Sequence, residues 1–313
     1  MRVFVAGGTG AVGKRLVPLL VARGHAVTAM TRSPDKAAAV RAAKAEPAVA
    51  DGLDRAAVME AVARARPEVV IHQMTGLAGE TSYKDFDATF ALTNRLRTEG
   101  TDILIAAARA AGARRLVAQS YGNWNYERSG SGPKAEDDPF DPSPPAHQRK
   151  SLEAIRYLER AVDAAAGIEG IALRIGNLYG PGTGIGRGGD VAGLVLRRRL
   201  PVVGVGTGIW SFLHVDDAAS ATVAAMDRGR PGPFNVCDDD PAPVSVWLPE
   251  LARALGAPPP RRVPARLARL AVGEVGVSMM TRIRGASNAK AKSELEWTPR
   301  WPSWREGFRE GLG

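Results

Sequence analysis

Apolar residues fall along the chain in short continuous runs separated by amphipathic stretches. Val3-Phe4-Val5-Ala6 is rich in strand formers and ends in the glycine run Gly7-Gly8-Thr9-Gly10-Ala11-Val12-Gly13. Leu16, Leu19 and Leu20 then share one helical face, and Gly24 is placed to end that helix. Ala26–Thr31 is a second buried run, so strand, glycine turn, helix and strand make a βαβ unit. The alternation continues with a helix at Arg55–Arg66, a strand at Val69–His72 and a helix at Thr101–Ala111. A strand at Arg115–Gln119 ending at Ser120, a helix at Lys150–Ala166 and a strand at Ile171–Ile175 follow. Strands apolar throughout, rather than at alternate positions, suit a parallel sheet covered on both faces. The pattern predicts an α/β fold with a doubly wound parallel sheet of the Rossmann type.

Residues 1–175 are expected to form the dinucleotide-binding domain, with a return segment at about 208–236. About 176–207 and 237–313 are expected to form a smaller carboxy-terminal α/β substrate-binding region. Tyr126–Pro145 is turn-rich and reads as a long surface loop of the kind that is often functional. With 313 residues, 45% hydrophobic and 24% charged, the chain can bury a core without staples, which excludes a disordered or disulfide-framed protein. The single cysteine, Cys237, fits a reducing cytoplasm. No apolar run approaches the ~20 residues of a membrane helix, so no membrane partner is expected. The net charge is +9, but the arginines are scattered and the densest cluster is Arg197-Arg198-Arg199. Nucleic acid, which needs a contiguous basic stripe, is not expected as a partner. His214 has no second His or Cys at ligand spacing, so no metal site is expected.

The glycine run satisfies Gly7-x-x-Gly10-x-x-Gly13 between a strand and a helix, the context in which it cradles a diphosphate on a helix N-terminus. Gly7, Thr9, Gly10, Ala11, Val12 and Gly13 are the expected contacts. An acidic residue usually ends the second strand and binds the ribose 2′-OH. Here Thr31-Arg32-Ser33 stands in its place. A cation and a hydroxyl at Arg32 and Ser33 suit a 2′-phosphate, favouring NADP over NAD, whereas an Arg32 that stacks on adenine would allow either. Asp51, with Gly52, is placed to contact adenine or to open a loop.

The chain resembles the extended short-chain dehydrogenase/reductase family, the NAD(P)-dependent epimerases and dehydratases, over nearly its whole length. The resemblance rests on the glycine motif, His72, Gly100-Thr101 and Leu173-Arg174-Ile175-Gly176-Asn177-Leu178-Tyr179-Gly180-Pro181. It rests also on Phe212-Leu213-His214-Val215-Asp216-Asp217 and Phe234-Asn235-Val236. It implies a Ser or Thr that binds the reacting oxygen, a Tyr-x-x-x-Lys pair that moves the proton and holds the ribose, and a homodimer through helices including Thr101–Ala111 and Lys150–Ala166. Ser120 matches the first and Lys150 the lysine, but Ala146 stands where the tyrosine belongs, and none of the five tyrosines has a lysine four residues on. The active site is therefore atypical. Tyr121, with a pKa lowered by Lys150 and a cationic nicotinamide, His147, or Lys150 through water could carry the proton. Members that bind nucleotide sugars place an Arg two residues before the Phe of Phe-x-His-Val, and here that position is Trp210. Trp210 and Trp124, with Asn177, are therefore candidate contacts for an apolar or aromatic substrate. Either tryptophan could instead be core.

The leading expectation is an NAD(P)-dependent oxidoreductase acting on a carbonyl or alcohol of such a molecule. A reaction without net redox (epimerisation, isomerisation, elimination or cyclisation) is the alternative, and a non-catalytic NADP-binding sensor is the second.

Overall fold

The computed structural model describes residues 1–77 and 82–313. The first half alternates strand and helix: β1 (Arg2–Ala6), α1 (Gly13–Ala22), β2 (Ala26–Thr31), α2 (Ala37–Ala42), β3 (Glu46–Val49), α3 (Arg55–Ala65) and β4 (Val69–His72). Three helices follow, α4 (Phe86–Thr89), α5 (Ala91–Arg97) and α6 (Glu99–Ala110), then β5 (Arg115–Tyr121), α7 (Arg149–Asp163) and β6 (Glu169–Ile175). The second half carries short strands and longer helices: β7 (Asn177–Tyr179), α8 (Asp190–Leu196), β8 (Val202–Val203), β9 (Ile209–Trp210), β10 (Phe212–His214) and α9 (Val215–Asp227). Then come β11 (Gly232–Val236), β12 (Ala242–Pro243), α10 (Val244–Ala254), β13 (Arg262–Val263), α11 (Ala265–Thr281), α12 (Ala289–Glu294) and α13 (Trp304–Glu310).

Seven strands form one parallel sheet in the order β11-β6-β5-β4-β1-β2-β3. The strands are largely apolar because both faces are covered. Val3 and Val5 of β1 pack with Leu16 and Leu20 of α1 and the alanines of α9, while Phe4 and Ala6 pack on the other face with Val58 of α3 and Leu104 of α6. A third core joins Trp210, Phe212, Trp247, Trp304 and Phe308 across the smaller region. The chain leaves β1 in opposite directions to reach β2 and β4, and the strand ends at that reversal open a crevice of the kind that takes nucleotides.

The Tyr126–Pro145 stretch differs from its expectation as a functional loop. Its described residues do not line the main cavity. They pack down instead, through an Arg128–Asp141 ion pair at 2.9 Å and a bond from Arg174 Nη1 to Tyr126 Oη at 2.9 Å. No helix among the described residues is long and apolar enough to cross a membrane.

Candidate active site

A cavity of about 530 Å³ opens over the carboxyl ends of β1, β2, β4 and β5. Its polar end is the glycine turn. Gly7 has φ +91° and its missing side chain faces the Gln73 carbonyl oxygen, 2.6 Å from where a Cβ would stand. A Cβ on Gly13 would overlap the Gly7 carbonyl oxygen, so the turn closes only with glycine at both positions. At Gly10 a Cβ would meet only that oxygen, at 3.5 Å, so this glycine leaves open space on the cavity side. No side chain caps α1, and the N–H groups of Ala11, Val12 and Gly13 have no partner among the described residues. Free donors at a helix N-terminus, beside an opening a Cβ would narrow, fit the diphosphate of a dinucleotide.

Thr9, Arg32, Ser33, Asp51 and Gly52 line the same end. Thr9 and Thr31 share a hydroxyl bond of 3.0 Å, and Asp51 Oδ1 accepts from the Leu53 N–H at 2.9 Å, making the turn there. Lys36 also lines this end, a second cation four residues after Arg32. That spacing was visible in the sequence and went unread.

The other end of the cavity is apolar. Trp124 and Trp210 line it, and both are almost fully buried. Trp124 meets Phe86 edge-on at 5.3 Å, and Phe86 stacks on Phe90 at 4.4 Å. Trp210 Nε1 donates to the Met279 carbonyl at 2.9 Å, which fixes its indole beside the space. Tyr83, Phe86 and Phe90 recur at helical spacing, an aromatic stripe that sequence reading passed over. Asp190, at the start of α8, and Asn177 complete this end. Burial, with the nearby Asp190 carboxylate, pushes the Tyr83 phenol up to about 12.

The expected catalytic set is redistributed. Side chains alternate along a strand, so when Gln119 and Tyr121 face the cavity, Ser120 faces the other way. Ser120 Oγ donates to Glu159 Oε1 of α7 at 2.6 Å, and Glu159 is held by Arg174 at 2.8 Å. Ser120 therefore faces Glu159 and Arg174 and does not line the cavity. Lys150 stands on the outer face of α7, where its N–H bonds Asp87 Oδ2 at 3.1 Å, and it borders a separate shallow groove with Tyr157 and Arg160. It does not line the cavity that Tyr121 enters. His147 is exposed in a short 3₁₀ turn before α7, away from the cavity.

Tyr121 is the one member of that set that enters the cavity. Its hydroxyl donates to Asn177 Oδ1 at 2.8 Å, and Asn177 Nδ2 donates to the Ser211 carbonyl at 3.3 Å. Burial pushes this phenol's pKa up, against the opposing pulls of the Asn123 side chain and the Arg97 charge. No cluster of three or more His, Cys, Asp or Glu able to hold a metal exists among the described residues.

Comparison with known proteins places this geometry. A family model described as NAD dependent epimerase/dehydratase matches residues 3–237. The 3-diazoavenalumate denitrifying reductase of a Streptomyces species is 49% identical over 312 residues, covering 98% of this chain and 99% of its own. The 2-alkyl-3-oxoalkanoate reductase of Stenotrophomonas maltophilia is 27% identical over 327 residues, covering 99% of this chain and 93% of its own. Among solved structures, a UDP-glucose 4-epimerase of Thermotoga maritima with UDP-glucose superposes with a TM-score of 0.76 at 23% identity, covering 100% of this chain and 97% of its own.

Proposed function

The chain belongs to the NAD dependent epimerase/dehydratase family and is an NAD(P)-dependent oxidoreductase, and from that premise we propose that it is an NADPH-dependent reductase that replaces the diazo group of an aromatic carboxylate by hydrogen. One observation carries the reading: Ser120, His147 and Lys150 all lie outside a cavity that pairs a dinucleotide cradle with aromatic walls. Carbonyl reduction needs a proton delivered to oxygen, and a positioned donor typically contributes 10²–10⁴-fold. Loss of dinitrogen needs none. In the diazonium form the carbon–nitrogen bond breaks with its electron pair leaving on N₂, and a carbon–hydrogen bond forms with the electron pair of a hydride. The reduced nicotinamide, when bound, supplies that hydride. The diazo substrate named for the Streptomyces relative supports the same class.

The chain's own residues then bind, orient and exclude water. The glycine turn with the N–H groups of Ala11, Val12 and Gly13 holds the diphosphate. Trp124, Phe86 and Trp210 clamp an aromatic ring, and their faces with the Asp190 carboxylate favour the positive diazonium end. Tyr121 and Asn177, tied to each other, set the floor of the pocket.

The test uses the purified protein, NADPH deuterated at the transferable position and 4-carboxybenzenediazonium. The expected result is protein-dependent NADPH loss matched one-to-one by N₂ and by benzoate carrying deuterium at the vacated carbon. A second reading, reduction of an aromatic ketone, is favoured by the Tyr121 hydroxyl in the cavity. Rapid ketone turnover with diazonium loss only at the protein-free rate would overturn the first reading in favour of the second.

Arg32, Ser33 and Lys36, in the segment that follows β2, support NADP over NAD. A charged hydrogen bond is worth about 1.5–3 kcal/mol, so Arg32→Ala is expected to weaken NADPH binding about 10–100-fold. NADH affinity should stay within about threefold. Equal losses for both, read by fluorescence titration, would return Arg32 to adenine stacking.

The division at about 175, with 208–236 returning to the main sheet, is proposed as a functional one, since α9 and β11 pack on the sheet. A cytoplasmic location is proposed on the free thiol of Cys237, and a homodimer on the exposed Tyr157 face of α7.

A further inference from the structure

Arg97 ends α5 and lines the cavity, yet only 7% of it is exposed. Its backbone is pinned. Thr101 Oγ1 donates to the Arg97 carbonyl at 2.9 Å, and the carbonyl of neighbouring Leu96 lies 3.2 Å from Nε2 of His72 at the end of β4. Its side chain makes no hydrogen bond or ion pair among the described residues. The one carboxylate among the described residues whose charge acts on it, Glu159, is already engaged by Arg174 at 2.8 Å and by Ser120 Oγ at 2.6 Å. Burial pulls the guanidinium down to about 10, which still leaves it charged at neutral pH. A buried guanidinium without a partner is costly, and it persists where a ligand completes it. The fork geometry of arginine suits two oxygens of one anion.

We infer that Arg97 is an oxyanion-binding residue of the cavity, its guanidinium receiving a carboxylate or phosphate oxygen carried in by a ligand. It lines the same cavity as the glycine turn and the aromatic walls, near enough to Tyr121 for the charge of that group to act on it. The carboxylate source rests on the substrate class proposed above. The diphosphate source rests only on the family's cofactor.

Arg97→Met separates the sources. Calorimetry is run on wild type and variant with NADPH, and on their NADP⁺ complexes with cinnamate and its neutral amide, cinnamamide. If the anion is the substrate's, cinnamate binding falls at least about tenfold while cinnamamide and NADPH stay within about twofold. If it is the cofactor's diphosphate, NADPH binding falls about tenfold and cinnamate is unchanged. Either result supports an oxyanion site. Both affinities unchanged would overturn it.

Thermal melting of the ligand-free variant is a second reading. Relief of an unpaired, nine-tenths-buried charge is expected to raise the midpoint, whereas a lowered midpoint together with unchanged cinnamate and NADPH affinities would show that the guanidinium serves the fold and would overturn the inference. Diazonium turnover is scored separately. Its failure beside a selective loss of cinnamate leaves the anion site standing. Turnover with an unchanged KM in Arg97→Met, and NADPH binding unchanged, removes the site and leaves the reductase standing.

Discussion

Gly13→Ala is expected to weaken NADPH binding by up to about 100-fold while leaving most of the secondary structure intact. The new Cβ would overlap the Gly7 carbonyl oxygen and stand 2.6 Å from the Gly8 carbonyl carbon and 2.8 Å from its Cα. All three atoms are backbone, so no side chain can swing aside. Overpacking of this kind costs about 1–3 kcal/mol, and a 100-fold loss corresponds to about 2.7 kcal/mol. Relief can come only by opening the turn, because Gly7 is itself wedged against the Gln73 carbonyl at the end of β4. Opening the turn carries the free N–H groups of α1 away from the diphosphate. Gly10→Ala is the matched control for the fold, since its Cβ makes only an ordinary contact within the protein. Circular dichroism and fluorescence titration read the two effects. Undiminished NADPH affinity in Gly13→Ala would mean that the turn is not the cradle.

The cradle was legible because each of its parts has a local cause. The run Val3–Ala6 must be a strand buried on both sides, the glycines must turn, and Leu16 and Leu20 must face the sheet. Arg32 could be placed because the end of β2 is fixed by the same unit. The aromatic end was legible only in part. Trp124 and Trp210 stood next to recognisable motifs, whereas Tyr83, Phe86, Asp190 and Met279 come from four separate stretches that only the tertiary fold assembles. Arg97 was hidden for a related reason. It sits among charged neighbours in Arg95-Leu96-Arg97, and nothing local tells that Arg95 pairs with Glu99 on the surface while Arg97 turns inward.

Ser120 and Lys150 face away from the cavity for a sharper reason. A shift of one residue in a strand moves a side chain to the opposite face. The sequence expectation ended the fifth strand at Ser120, but β5 continues through Tyr121, paired with Ile175 of β6, so the alternation runs on and sends Tyr121 into the cavity. Lys150 was chosen by residue type. α7 instead turns Lys150 to solvent and buries the adjacent Ser151, whose Oγ bonds Asp87 Oδ1 at 2.6 Å. In both cases the residue type was present and the fold turns it away from the cavity.

That reassignment makes a large and separable prediction beneath the sheet. Glu159→Ala is expected to destabilise the protein by about 3–5 kcal/mol, the cost of breaking a buried ion pair by removing one partner. Arg174 would be left charged and nearly buried, losing its bond at 2.8 Å, and Ser120 would lose its acceptor. Part of the loss is expected to be spared in Glu159→Gln, which keeps an oxygen for either neighbour. Ser120→Ala removes one hydroxyl bond to a charged acceptor and is expected to cost about 1.5–3 kcal/mol, with turnover per folded molecule within about twofold of wild type. Because Ser120 and Arg174 share one carboxylate, Ser120→Ala combined with Glu159→Ala should cost less than the sum of the two. Urea denaturation supplies the energies and NADPH consumption supplies the turnover. A Ser120→Ala variant as stable as wild type but more than tenfold slower would return that hydroxyl to the reaction. A Glu159→Ala variant within about 1 kcal/mol of wild type would mean that Arg174 finds other partners, and the support described here would then rest on packing alone.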